Sequence, residues 1–241
     1  MIRDATCCSP NCDNPTEAGE CACSACLEAW DEAARAQAAE ERFDIAGLPP
    51  RYRSLALGQV VQGLGETEED AVKRASRIDP PALAITKHNN RVATDLRSWQ
   101  RGGFFIEGPV GVGKTTLLAA RLAELLREGG QGQFLSVPEL VFQFKISRKK
   151  AWMMATQAAD AGVLLLDDLG HPDDIASWMV EPVERIIARR TEFMLPTLVS
   201  SNRGMDSLER IYGVYVRSRL EEICGRQVYF LNGPDFRGLL G

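Results

Sequence analysis

The chain has 241 residues, is 45% hydrophobic and carries a formal charge of -5, which allows one α/β domain of about 150 to 200 residues with a small appendage. No apolar run approaches the roughly 18 to 20 residues that cross a bilayer, and the opening MIRDATCC has no apolar signal segment. These features predict a soluble, cytoplasmic protein without a membrane partner. Charge is uneven: residues 1–45 hold three Lys/Arg against ten Asp/Glu, so the remainder has a small positive balance. That balance excludes a general polyanion binder and leaves room for a local basic site.

Six of seven cysteines, Cys7, Cys8, Cys12, Cys21, Cys23 and Cys26, fall within the first 26 residues. In a chain expected among reduced thiols, such a cluster points to metal before disulfides. The arms CCSPNC and CACSAC flank a short turn, and one tetrahedral zinc needs four thiolates. The preferred set is Cys8, Cys12, Cys23 and Cys26, with Cys7 and Cys21 as substitutes; an iron–sulfur cluster and a metal-free segment are the alternatives. Residues 27–43, rich in alanine and acids, predict a helix, with Trp30 and Phe43 as packing residues. Paired prolines in AGLPPRYR break it, placing the junction between a cysteine-rich segment, 1–45, and a main domain, 46–241. Residues 66–78 and 80–101 read as two further helices.

Next comes Gly103-Phe-Phe-Ile-Glu, a strand candidate, then GPVGVGKT, then a run with apolar residues at helical spacing. Strand, glycine-rich loop and helix in this order form a phosphate cradle: backbone N–H groups and the helix N-terminus face an anion. Gly108, Pro109, Val110, Gly111, Val112, Gly113, Lys114, Thr115 and Thr116 are the expected nucleotide-binding residues. Lys114 is expected on the β and γ phosphates and Thr115 on Mg²⁺. A strand at 133–137 and a helix from Pro138 lead to Lys145-Ile-Ser-Arg-Lys-Lys. Its cations suit either a solvated helix face or contacts to nucleic-acid phosphates.

GVLLLDDLG, residues 162–170, has the continuous apolar character of a strand buried in a parallel sheet, with two carboxylates at its ligand-binding end. Asp167 is expected to hold Mg²⁺, directly or through water, and Asp168 to polarise the water attacking the γ-phosphate. His171, in the turn that follows, reads as an ordinary loop residue. Residues 174–193 predict a helix with a kink or fresh start near Glu181, because Pro182 lies inside it. Trp152, Met153, Met154, Trp178 and Met179 read as packing residues. The strand PTLVSSN ends on Asn202, whose amide could bond the attacking water or the γ-phosphate, a candidate nucleotide sensor. A helix at 214–224 carries Arg217 and Arg219, a last strand spans 227–231, and Cys224 is expected to be buried.

LPPRYRSL, GPVGVGKT, SVPEL, LLLDDLG, PTLVSSN and YVRSRLEEICGRQVYFLNGPDFR together resemble the DnaC-type helicase loaders, a branch of the AAA+ ATPases that also contains the IstB-type transposase helpers. The resemblance covers residues 46–241 and is looser over the cysteines, which are similar to zinc-binding, helicase-interacting segments of some loaders. It implies a parallel sheet flanked by helices, no C-terminal lid, slow ATP turnover, and self-association into a ring or spiral around single-stranded DNA. Arg219 matches the arginine-finger position, with Arg217 two residues away as the alternative; Lys145, Arg148 and Lys149 fall where the family faces DNA. The expected function is ATP-dependent loading or escort of a replicative helicase. The alternatives are an IstB-type helper of a transposase and a nucleotide-binding adaptor with vestigial hydrolysis.

Overall fold

A computed structural model describes residues 23–58, 80–170, 180–233 and 235, with the side chains of 80–87 excepted. Its contacts divide the chain into two compact units, 1–42 and 43–241. In the first, the described part is the beginning of helix α1 (Ser24–Ile45). That helix includes the segment predicted at 27–43; Trp30 is exposed on it, while Phe43, past the division, is buried in the second unit.

The second unit is a five-stranded sheet in the order β2-β3-β4-β1-β5, with every pairing parallel. The strands are β1 (Gly103–Glu107), β2 (Gly132–Ser136), β3 (Val163–Leu169), β4 (Thr197–Ser201) and β5 (Val228–Phe230). Phe104, Phe105 and Ile106 of β1, Leu164 to Leu166 of β3, and Leu198 and Val199 of β4 are fully buried. Helices cover both faces of these strands, which is why their sequences are continuously apolar and not alternating. The single turn α2 (Pro50–Arg53) and α3 (Pro80–Ser98) precede β1, and between the strands run α4 (Lys114–Arg127), α5 (Val137–Ile146), α6 (Arg148–Asp160), α7 (Val180–Glu192), α8 (Met205–Tyr212) and α9 (Val214–Cys224).

Most predicted elements are present. Helix α3 replaces the expected 80–101 and stops at Ser98, and the helix expected at 66–78 lies outside the described residues, as does the start of the one expected at 174–193. Ser147 separates α5 from α6: its extended backbone ends the first helix, and its Oγ accepts from the Lys150 N–H to open the second. Helix α8 was not anticipated. Cys224 is buried as expected, packed against Gly103 so closely that a β-carbon there would overlap its Sγ. Burial pushes its thiol pKa up to about 12.

Where α7, α6 and the start of β4 meet, Arg190 is fully buried. Its guanidinium donates to Thr197 Oγ1 at 2.8 Å, to the carbonyls of Ala158 at 2.9 Å and Ala161 at 2.8 Å, and to Pro196 O at 2.6 Å. Burial lowers its pKa to about 10, so it remains charged at neutral pH. The cation ties the end of α6 to the beginning of β4.

Candidate nucleotide site

The carboxyl ends of β1, β3 and β4 converge above the sheet. In-register pairing sets Glu107 beside Ser201, and Ser136 beside Asp167. After Glu107 the chain turns through GPVGVG into α4. Gly111 at φ 83° and Gly113 at φ 90° take left-handed conformations that side-chain-bearing residues rarely adopt. Gly113 is the N-cap of α4 and offers no side-chain cap, which leaves the first N–H groups of the helix available to an anion.

Lys114 is buried, and its ammonium donates to Gly108 O at 2.9 Å, Pro109 O at 2.6 Å and Asn202 Oδ1 at 2.6 Å. Thr115 Oγ1 donates to Asp167 Oδ1 at 2.7 Å. Two hard oxygens, a hydroxyl and a carboxylate, stand side by side next to the loop, the donor set that Mg²⁺ takes beside phosphate. The Asn202 amide does two things at once, since its Nδ2 also donates to Asp168 Oδ1 at 2.8 Å. One side chain at the end of β4 thus links the lysine of the loop to the second carboxylate of β3.

Sequence reasoning missed Ser200. Its Oγ donates to Asp167 Oδ1 at 2.5 Å and accepts from the Asp168 N–H at 2.9 Å. Strand β3 carries a bulge here: Leu166 pairs with Val199, and the next pairing is Leu169 with Ser201. Asp168 lies in the bulge with φ 58°, a conformation strained for a non-glycine residue. The bulge costs the Asp168 N–H its ladder partner, and the Ser200 hydroxyl replaces it. A small hydroxyl in a strand carries no sequence signal of its own; only its place opposite the carboxylate pair would have marked it.

These groups line a cavity of about 400 Å³ together with Gly111, Gly113 and Thr116, and with Arg51 and Tyr52 from α2. The Arg51 guanidinium lies 4.6 Å from the centre of the Tyr52 ring. The sequence reading used PPRYR to mark a boundary, whereas the structure brings it to the wall of the cavity. Beside the site, burial and then nearby Asp206 raise the pKa of Glu107 above the usual carboxylate range.

The other predicted residues lie elsewhere. Arg217 and Arg219 do not line the cavity. Arg217 is held by Asp206 at 2.8 Å, Glu209 at 2.5 Å and Glu221 at 2.9 Å, and its bonds to Glu221 and Glu209 raise its pKa. Arg219 pairs with Glu222 at 2.7 Å and lies over the Tyr215 ring. Lys145, Arg148 and Lys149 are all exposed around the α5–α6 corner. Cys23 is buried and Cys26 partly so, whereas Cys7, Cys8, Cys12, Cys21, His171, Trp178 and Met179 lie outside the described residues. Trp152 is partly buried, its ring edge-on to Phe144, and Met153 is exposed. Among the described residues no helix is long and apolar enough to cross a membrane.

No family model matches the chain. The replicative helicase loader DnaI of Bacillus subtilis (strain 168) is 30% identical over 149 residues, covering 60% of this chain and 48% of DnaI. The chain therefore spans about half the length of the curated relative it matches. A crystal structure of the DnaC helicase loader superposes with TM-score 0.52 at 22% identity, covering 61% of this chain and 90% of that one. The replication initiator DnaA bound to AMPPCP and single-stranded DNA superposes with TM-score 0.53 at 18% identity, covering 78% of this chain and 51% of that one. Strand order, parallel pairing and these superpositions agree: the main unit has an α/β fold, a five-stranded parallel sheet flanked by helices, like the DnaC and DnaA structures.

Proposed function

We propose that the protein is an ATP-dependent loader or escort of a replicative DNA helicase. The observation that carries this reading is the convergence of Lys114, Thr115, Asp167, Asp168 and Asn202 on one cavity beside a glycine-rich helix N-terminus. The similarity to DnaI supplies the class of partner.

Each residue has a task in that reading. The loop N–H groups and Lys114 hold the β and γ phosphates, and the lysine exchanges its carbonyl and amide acceptors for phosphate oxygens. Thr115 and Asp167 would hold Mg²⁺, which would supply positive charge against the charge developing on the phosphates. Asp168 Oδ1 takes the proton of the attacking water. Asn202, released from Lys114, orients that water or the γ-phosphate. Arg51 and Tyr52 present a guanidinium and an aromatic ring to the base or ribose. Arg219, or Arg217 if its three carboxylates release it, reaches the nucleotide of a neighbouring subunit in a ring or spiral and stabilises the γ-phosphate there.

Lys145, Arg148 and Lys149 contact the phosphates of single-stranded DNA, alongside the exposed Phe142 on which a base can stack. In the N-terminal unit, Cys8, Cys12, Cys23 and Cys26, with Cys7 or Cys21 as replacements, would hold zinc, which would supply most of the folding free energy of the segment that grips the helicase. Mixing the full-length chain with the purified replicative helicase of its host, in ATP and in ADP, should give a complex by size-exclusion chromatography with light scattering. Association with a transposase and none with the helicase would replace this reading with that of a transposase helper.

A further inference from the structure

The chain does not leave the site after β5. The Leu231 N–H donates to Glu107 O at 2.7 Å, extending the β1 pairing by one residue. Two side chains of α3 clip the same stretch: His88 Nε2–H donates to Phe230 O at 2.8 Å, and Asn89 Nδ2 donates to Asn232 O at 2.7 Å. The Leu231 carbonyl lies against Gly108 so closely that a β-carbon there would overlap it. Four residues further on, the Asp235 carboxylate lies against Gly111, and a β-carbon at that glycine would overlap its Cγ and both its oxygens. Two glycines of the phosphate loop are therefore in close contact with the chain's own later segment.

The group brought to Gly111 is an anion. A carboxylate offers two acceptor oxygens on a planar centre, and this loop, with left-handed glycines, an uncapped helix N-terminus and Lys114, is built to attract negative charge. We propose that Asp235 is a built-in competitor for the phosphate loop: its carboxylate lies against Gly111, and a polyphosphate must displace it, with the 231–233 stretch held on β1 and α3, to bind. The proposal rests on the reading of this loop as a nucleotide-phosphate site. It adds that apparent nucleotide affinity is set partly by how firmly α3 and β1 hold this segment. A site covered nine-tenths of the time binds about ten-fold more weakly than the bare one.

The test uses full-length wild type, Asp235→Asn, Asp235→Ala and Lys114→Ala. Pyrophosphate and a fluorescent ADP analogue are titrated with and without Mg²⁺, and hydrogen exchange is followed over 228–235. Removal of the carboxylate charge should tighten both ligands by about three- to ten-fold, and pyrophosphate should speed exchange of the Leu231 amide in wild type. Unchanged or weaker binding by both Asp235 variants, with Lys114→Ala still abolishing it, would overturn the competitor while leaving the nucleotide site standing. Weakening seen only with Mg²⁺ would overturn it too, making Asp235 a helper of the metal. If Lys114→Ala binds normally, the loop is not the phosphate site and both readings fall.

Discussion

Two buried cations stand at opposite ends of β4, and they are held in different ways. Arg190, at the amino end, is enclosed by carbonyls and a hydroxyl on α6 and β4, on regular elements that have no reason to move. Lys114, at the carboxyl end, bonds two carbonyls of its own glycine-bearing loop and a side-chain amide, acceptors that a phosphate replaces without cost to the core. Burial of charge is expensive at both ends. At one it fixes the fold, and at the other, in the function proposed above, it keeps a cation ready for phosphate. Strand β4 joins them, running from Thr197, which accepts from Arg190, to Ser201, just before Asn202, which accepts from Lys114.

Substitutions at the two ends should separate these roles. Arg190→Met leaves several buried carbonyls without a donor, so we expect a loss of about 3 to 5 kcal/mol, read as a lower urea midpoint with loss of nucleotide binding as a secondary effect. Lys114→Ala should leave the urea midpoint within about 1 kcal/mol and weaken nucleotide by about 100-fold; a comparable stability loss at both positions would break the distinction. Ser200→Ala should sit between them, removing about 1 to 3 kcal/mol. It should also reduce the Mg²⁺ dependence of nucleotide binding, because the Asp167 carboxylate loses the hydroxyl that orients it.

A smaller effect tests the fixed side of the sheet by pH. Burial pushes the folded-state pKa of Cys224 up to about 12, above the ordinary thiol value of 9.0. Its contribution to stability is therefore complete below about pH 9 and declines as pH rises from 9 toward 12. Denaturation midpoints across that range should fall less steeply in Cys224→Ala than in wild type, and the native thiol should resist a maleimide at pH 8 until urea is added. The smallest effect concerns the corner of α5 and α6. Reversing Lys145, Arg148 and Lys149 to Glu should leave stability unchanged and reduce the salt dependence of single-stranded DNA binding by about two units of log–log slope, measured by fluorescence anisotropy.

The legible parts of this molecule were those in which neighbouring residues carry the information. Strand β1, the glycine loop and α4 are adjacent in sequence, and the apolar run before Asp167 marks a doubly covered strand by itself. Helix α9 was readable from its own apolar spacing. Ser200 and the Asp168 bulge were not, because their meaning comes from a strand more than thirty residues away. Arg190 reads as one more charge in a charged helix until the carbonyls of α6 and β4 surround it. Helix α8 is only eight residues long and lies between Gly204 and Gly213, so the glycines that cap it resemble a continuous loop. Arg51 and Tyr52 were hidden by the prolines beside them, which suggested a linker.

The place of β1 in the sheet also bears on how the protein is made. It lies between β4 and β5, the last two strands to be synthesised, although its own residues come first. As the chain emerges, GPVGVGKT and α4 can form early, but the strand that anchors the loop has no neighbours until residues near 197 and 228 appear. Contacts this distant in sequence close late and slowly. On the ribosome, the anion cradle should therefore become firm only once most of the main unit has been synthesised, and a truncated chain that contains the whole loop should not bind nucleotide.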